Sequence, residues 1–152
     1  MSTEYIEKNV DEIEKDSNYE FPLNMAMASA WILGNFKGIN LKVIDTRNVS
    51  SLADYYVLAS ASNSTQARSM ADQVMQQMKR KDLNVVSKEG LNDTADWILI
   101  DLGDFIVHIF QESSRDVYDI DGLWDAPQVE IPNEYYHGEE ESGASDEDKG
   151  YF

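Results

Sequence analysis

The sequence predicts an α/β (α+β) domain: a mixed, mostly five-stranded sheet flanked by helices. Three observations carry this. Trp97 to Phe110 holds two β-branched and aromatic runs around Gly103-Asp104, a dipeptide that supplies the positive φ a two-residue hairpin needs. Ala67, Met70, Ala71, Val74, Met75 and Met78 recur at helical spacing. A second apolar run, Asp54 to Ala59, enters that helix and a short run, Leu83 to Ser87, leaves it, which describes a crossover between parallel strands.

Residues 1–20 are polar and acidic and predict an extension that is helical only transiently. Phe21-Pro22 marks an entry, and Leu23 to Lys37 mixes Met, Ala, Trp and Leu in a helix that Gly38 stops, with Trp31, Ile32 and Phe36 as its buried contacts. Leu41 to Asp45 alternates as a strand, and Asn48 to Ala53 is a Ser-rich turn. Ser60 to Ser64 precedes a helix but lacks the glycines of a phosphate loop, so capping explains it, with Asn63 and Gln66 as a capping box. Lys79-Arg80-Lys81 closes that helix where a cation favours the dipole.

In the hairpin, a Gly103-Asp104 loop sets Leu102 opposite Phe105, Ile100 opposite Val107 and Ile98 opposite Ile109. The other face pairs Trp97, Leu99 and Asp101 with Phe110, His108 and Ile106. A sheet apolar on one face and nearly so on the other calls for helical cover on both. Ser113 with Asp116 predicts a further capped helix through Val117, Tyr118 and Ile120 that Gly122 ends, with Leu123-Trp124 pinning it down. Beyond Pro127 the composition turns to Glu, Asp, Gly and Ser and reads as a solvated tail. The predicted organisation is thus an acidic extension (1–20), one domain (21–126) and an acidic tail (127–152).

The formal net charge is −17, and the two ends carry −12 of it. Such a chain is a poor match to phosphates and a good one to a basic protein, so direct nucleic-acid binding is not the expected main contact. With no cysteine and two histidines, thiolate metal sites are excluded and a zinc site has little to draw on. No run of eighteen apolar residues and no basic, apolar leader is present, so the expectation is a cytoplasmic protein without membrane association.

For catalysis, Asp101 and His108 share a sheet face as diagonal neighbours, and Asp119 with Asp121 could hold magnesium. A nucleotide-binding, nucleotidyltransferase-like enzyme is the alternative reading these residues support. No nucleophile accompanies the first pair and no glycine-rich loop the second, so no catalytic or metal-binding residue and no cofactor is assigned. What remains is a rim of Glu89, Asp93, Asp96, Trp97, Asp101, Leu102 and Asp104, an aromatic and an apolar side chain among acids. That pattern suits an interface anchor facing a basic surface as well as it suits a buried strand with soluble loops.

The set Ala53-Asp54-Tyr55, Ala71-Asp72, Glu89-Gly90, Asp96-Trp97, Asp101-Leu102-Gly103-Asp104, Val107-His108, Arg115, Tyr118 and Leu123-Trp124 resembles the ribosomal silencing factor family, also called Iojap, over Phe36 to Ala126. The resemblance implies a nucleotidyltransferase-like fold without catalysis, since the glycine-serine signature and paired strand carboxylates of the active enzymes are missing. It implies binding to the large ribosomal subunit through its basic fourteenth protein on the intersubunit face. Small-subunit joining is thereby blocked and translation repressed, with a link to ribosome biogenesis, and relatives form homodimers. Carried onto this chain, Trp97 and Leu102 become apolar anchors and Glu89, Asp96, Asp101 and Asp104 acidic contacts. Strand alternation sets Trp97 and Leu102 on opposite faces, so they share a partner only at the sheet's edge or loop end.

Overall fold

The computed structural model describes residues 2–92, 94–118 and 126–136. Asp93, the Asp119/Asp121 pair, the helix end at Gly122 and the Leu123-Trp124 anchor lie outside them. Among the described residues, four α-helices, α1 (Thr3–Glu14), α2 (Leu23–Asn35), α3 (Ser64–Arg80) and α4 (Glu112–Tyr118), accompany six strands. The strands are β1 (Ile39–Asp45), β2 (Tyr55–Ala61), β3 (Ser87–Glu89), β4 (Trp97–Asp101), β5 (Phe105–Gln111) and β6 (Gln128–Val129). They form one mixed sheet in the order β3-β4-β5-β2-β1-β6, in which β2 and β5 are parallel and every other neighbour pair is antiparallel.

The hairpin has the predicted register, Trp97 against Phe110 through Asp101 against Ile106. Gly103 sits at φ 90, and the Leu102 N–H donates to the Phe105 carbonyl at 3.0 Å. The α3 stripe is core: Ala67, Met70, Ala71, Val74 and Met78 are fully buried. The Asn63 side chain accepts from the Gln66 N–H at 2.8 Å, as a capping residue should. Gln66 goes further, accepting from the Ser62 N–H and donating to the Phe36 and Lys37 carbonyls, so one side chain ties the start of α3 to the end of α2.

Other expectations are corrected. The strand after α3 is Ser87–Glu89 rather than Leu83 to Ser87, and it lies at the sheet's edge with β4 and β5 between it and β2. It still runs parallel to β2. Its three residues are all exposed, whereas β2 is buried throughout, so a central place would have put Lys88 and Glu89 into the core. Helix α2 ends at Asn35, and the left-handed residue beyond it is Lys37 (φ 70), not Gly38. Gly38 N–H bonds the Leu33 carbonyl and Lys37 N–H the Gly34 carbonyl, a Schellman motif in which a Cβ on Gly38 would meet the Leu33 oxygen at 2.6 Å. Helix α4 starts directly from β5 at Glu112, so Ser113 lies inside its first turn rather than capping it.

The largest corrections concern the two ends. The acidic start is a packed helix: the Ser2 hydroxyl caps α1, Ile6 and Val10 are buried, and Tyr5 packs on Trp31. Its acids face the basic end of α3, with Arg80 on Asp11 at 2.9 Å and Lys81 on Asp11 and Glu14 at 2.7 and 2.6 Å. At the other end, β6 adds a sixth strand beside β1, and a 3-10 turn at Asn133–Tyr135 buries Tyr135. Asn35 Nδ2 donates to the Tyr135 carbonyl at 3.1 Å, and the Leu41 N–H donates to the Tyr136 hydroxyl at 3.2 Å. The stretch after Pro127 is therefore part of the fold as far as Tyr136.

Helices α1 to α3 cover one face of the sheet, where Ile98, Ile100, Leu102, Phe105, Val107 and Ile109 join the main core. The opposite face carries a second cluster of Ile44, Ala53, Tyr56, Leu58, Ile106 and Phe110, against which Trp97, Leu99 and Ala126 pack half-buried. Helix α4 reaches that face at its end, where the buried Arg115 guanidinium donates to Ser60 Oγ at 2.9 Å and to the Asn40 carbonyl at 2.6 Å.

Candidate functional site

The site lies where β3, β4 and the loop between them meet on that second face. Gly90 ends β3 at φ 81, and a Cβ there would come within 1.9 Å of the Trp97 carbonyl oxygen, so the loop can pass this closely only as glycine. Asn92 Oδ1 then accepts from Thr94 Oγ and from the Ala95 N–H, turning the chain, and Arg68 of α3 donates to the Asn92 carbonyl at 3.1 Å. The loop end is fastened to β5: the Gln111 N–H donates to the Asp96 carbonyl, and Gln111 Nε2 to that of Thr94.

This frame encloses an open recess of about 390 Å³ lined by Glu89, Gly90, Asn92, Thr94, Asp96, Trp97 and Leu99. Half-buried Trp97 and Leu99 supply its apolar lining, and two exposed carboxylates, Glu89 and Asp96, line it beside them. Behind it the Trp97 indole joins an aromatic cluster. Ring centroids lie 5.1 Å from Phe110 and 5.9 Å from His108, and His108 in turn lies 5.2 Å from Tyr56. Trp97 Nε1–H donates to His108 Nδ1 at 3.0 Å. His108 is 4% exposed, and burial pushes its pKa down to about 4, so the ring is neutral with its proton on Nε2.

Of the sequence-predicted residues, the structure thus brings Glu89, Asp96 and Trp97 together. Asp101, Leu102 and Asp104 lie at the other end of β4, about 13 Å along the strand from Trp97 at ordinary strand rise. There Asp101 Oδ1 accepts from the Gly103 N–H at 2.8 Å, and the carbonyl of exposed Asp104 accepts from the Asp54 N–H at 2.8 Å, joining the hairpin tip to the start of β2. Leu102 points to the helix-covered face and is 5% exposed, so it is not an exposed anchor beside Trp97. Asp101 and His108 do share a face, but the carboxylate serves the turn and the imidazole serves the indole, so they form no acid–base couple. The sequence reading missed Leu99, Asn92 and Thr94 as lining residues. Leu99 was in reach, because it alternates onto Trp97's face, but the loop residues were not.

Two solved structures define the class of protein this is. A crystal structure from Bacillus halodurans superposes with a TM-score of 0.61 at 25% identity, covering 72% of this chain and 96% of that one. One from Chromobacterium violaceum gives 0.58 at 25% identity, covering 86% and 92%. The chain shares their mixed, helix-flanked α/β architecture. At the level of sequence, the family model "Ribosomal silencing factor during starvation" matches residues 19–150. The ribosomal silencing factor RsfS of Haemophilus influenzae is 37% identical over 92 residues, 60% of this chain and 89% of that one. The RsfS of Bacillus subtilis is 31% identical over 93 residues (60% and 78%), and the mitochondrial Iojap-related protein of Arabidopsis thaliana is 32% identical over 100 residues (62% and 53%). The chain belongs to the ribosomal silencing factor family.

Proposed function

We propose that this protein binds the large ribosomal subunit through its basic fourteenth protein on the intersubunit face, and that occupancy of that surface blocks small-subunit joining and represses translation. Trp97 is the apolar anchor, and Glu89 and Asp96 are the acidic contacts beside it. Asp101 and Asp104 extend the negative rim to the hairpin tip, which Leu102 supports from the core side. The reading rests on one observation: a partly exposed tryptophan lining an open recess together with two exposed carboxylates. Tryptophan is among the residues enriched at interface hot spots, and acids beside it steer a basic partner onto it. The output is occupancy without bond-making. No described helix is long and apolar enough to cross a membrane.

Sedimentation of purified subunits through sucrose tests this. Added protein is expected to co-migrate with the large subunit and to reduce the joined-ribosome peak, and Trp97→Ala is expected to weaken binding by about 2 kcal/mol or more. A folded Trp97→Ala protein that binds as tightly as the original removes the recess from the interface.

A further inference from the structure

An indole N–H needs a hydrogen-bond partner, and at a partly exposed position water can supply it. In this chain it is turned inward instead. Trp97 Nε1–H meets His108 Nδ1 at 3.0 Å, and the accepting ring is itself immobilised, 4% exposed and lodged between Tyr56 on β2 and Phe110 on its own strand. The indole's one polar atom is thus engaged by the protein, so what the side chain can offer the recess that Trp97 lines with Glu89 and Asp96 is ring carbon. A histidine is a costly choice for a position this deep, because a leucine or phenylalanine would fill the space without a polar ring to satisfy. Its cross-strand neighbours Leu58 and Leu99 show that the site itself is apolar.

We infer that His108 is a positioning residue for partner binding: by accepting the hydrogen bond of the indole N–H it fixes Trp97 in the docking-competent orientation before the partner arrives. This rests on the reading of Trp97 as the anchor. Pre-organisation of this kind removes an ordering cost from association, so its loss weakens affinity without removing any contacting atom. A purely structural histidine would affect stability alone.

The acceptor's location allows a sharp test. Asparagine places its carbonyl oxygen where His108 has Nδ1, whereas glutamine carries its oxygen one bond further, where the imidazole has Nε2. In His108→Gln the Trp97 Nε1–H signal, assigned by its disappearance in Trp97→Ala, is expected to lose its protection from hydrogen exchange. Large-subunit binding is expected to weaken about fivefold, and His108→Asn should restore both. In a Trp97→Ala background the Gln substitution is expected to add nothing. If glutamine compromises folding in a thermal melt, His108→Leu removes the same acceptor with apolar volume retained. Wild-type affinity in His108→Gln, while Trp97→Ala still weakens binding, overturns the positioning role and leaves the anchor reading intact. An equal loss from His108→Gln with or without Trp97, or no recovery in His108→Asn, also overturns it. Unchanged binding in Trp97→Ala removes the anchor and the positioning role together.

Discussion

Lowering the pH from 7 to 5 should destabilise this protein through His108, and the size of the effect follows from its burial. Desolvation lowers the folded-state pKa to about 4, against an ordinary value near 6.5 in the unfolded chain. Between those two values the unfolded state binds a proton that the folded state refuses. Stability is therefore complete above about pH 6.5, falls as the pH drops through the window, and stops falling below about 4, where the folded ring protonates too. The full difference is worth roughly 3 kcal/mol, of which about 2 kcal/mol is lost by pH 5. Protonation would also set an imidazolium N–H against the donating indole N–H, so cost and geometry act in the same direction. Asp11, held below its usual range by Lys81, and Asp45, held there by Arg47, lose their contribution at lower pH. Urea unfolding at pH 7 and pH 5 at constant ionic strength reads the effect as a midpoint shift of about 1 M, and His108→Asn should abolish most of it. Equal pH dependence in the two proteins over this interval would refute the reasoning.

Three further outcomes are expected. Val10 is fully buried whereas the Asp11 pairs are partly exposed, so Val10→Ala should cost about 2 kcal/mol and Asp11→Asn under about 1 kcal/mol in chemical denaturation; the reverse order would mean that charge rather than burial docks α1. Gly90→Ala should lower the thermal midpoint and weaken large-subunit binding together, because the added Cβ collides with the Trp97 carbonyl at a positive φ. Ending the chain after Ala126 should lower the melting transition clearly by removing β6 and the buried Tyr135, a loss that calorimetry can read.

The sequence by itself determined the elements whose information is local. Gly103-Asp104 set the hairpin register residue by residue, because a two-residue turn admits one pairing. The Ala67 to Met78 stripe named its buried face, and Asn63 with Gln66 marked where that helix begins. Glu89, Asp96 and Trp97 were legible as an acid-flanked aromatic, although the recess was not. Tertiary structure alone decided what depends on residues far apart in the chain. Glu7, Asp11 and Glu14 repel one another in a sequence window, and they share a packed helix only because Ile6 and Val10 find the core and Arg80 and Lys81 meet the acids from some seventy positions later. Val129 and Tyr135 look like tail residues until β1 and α2 present an edge and a groove for them. The same holds at the site. Trp97 and His108 are eleven residues apart, and that one donates to the other emerges only when two strands lie side by side with their aromatic faces turned the same way. Periodicity specifies which face a side chain takes, but long-range pairing selects the neighbour it meets there.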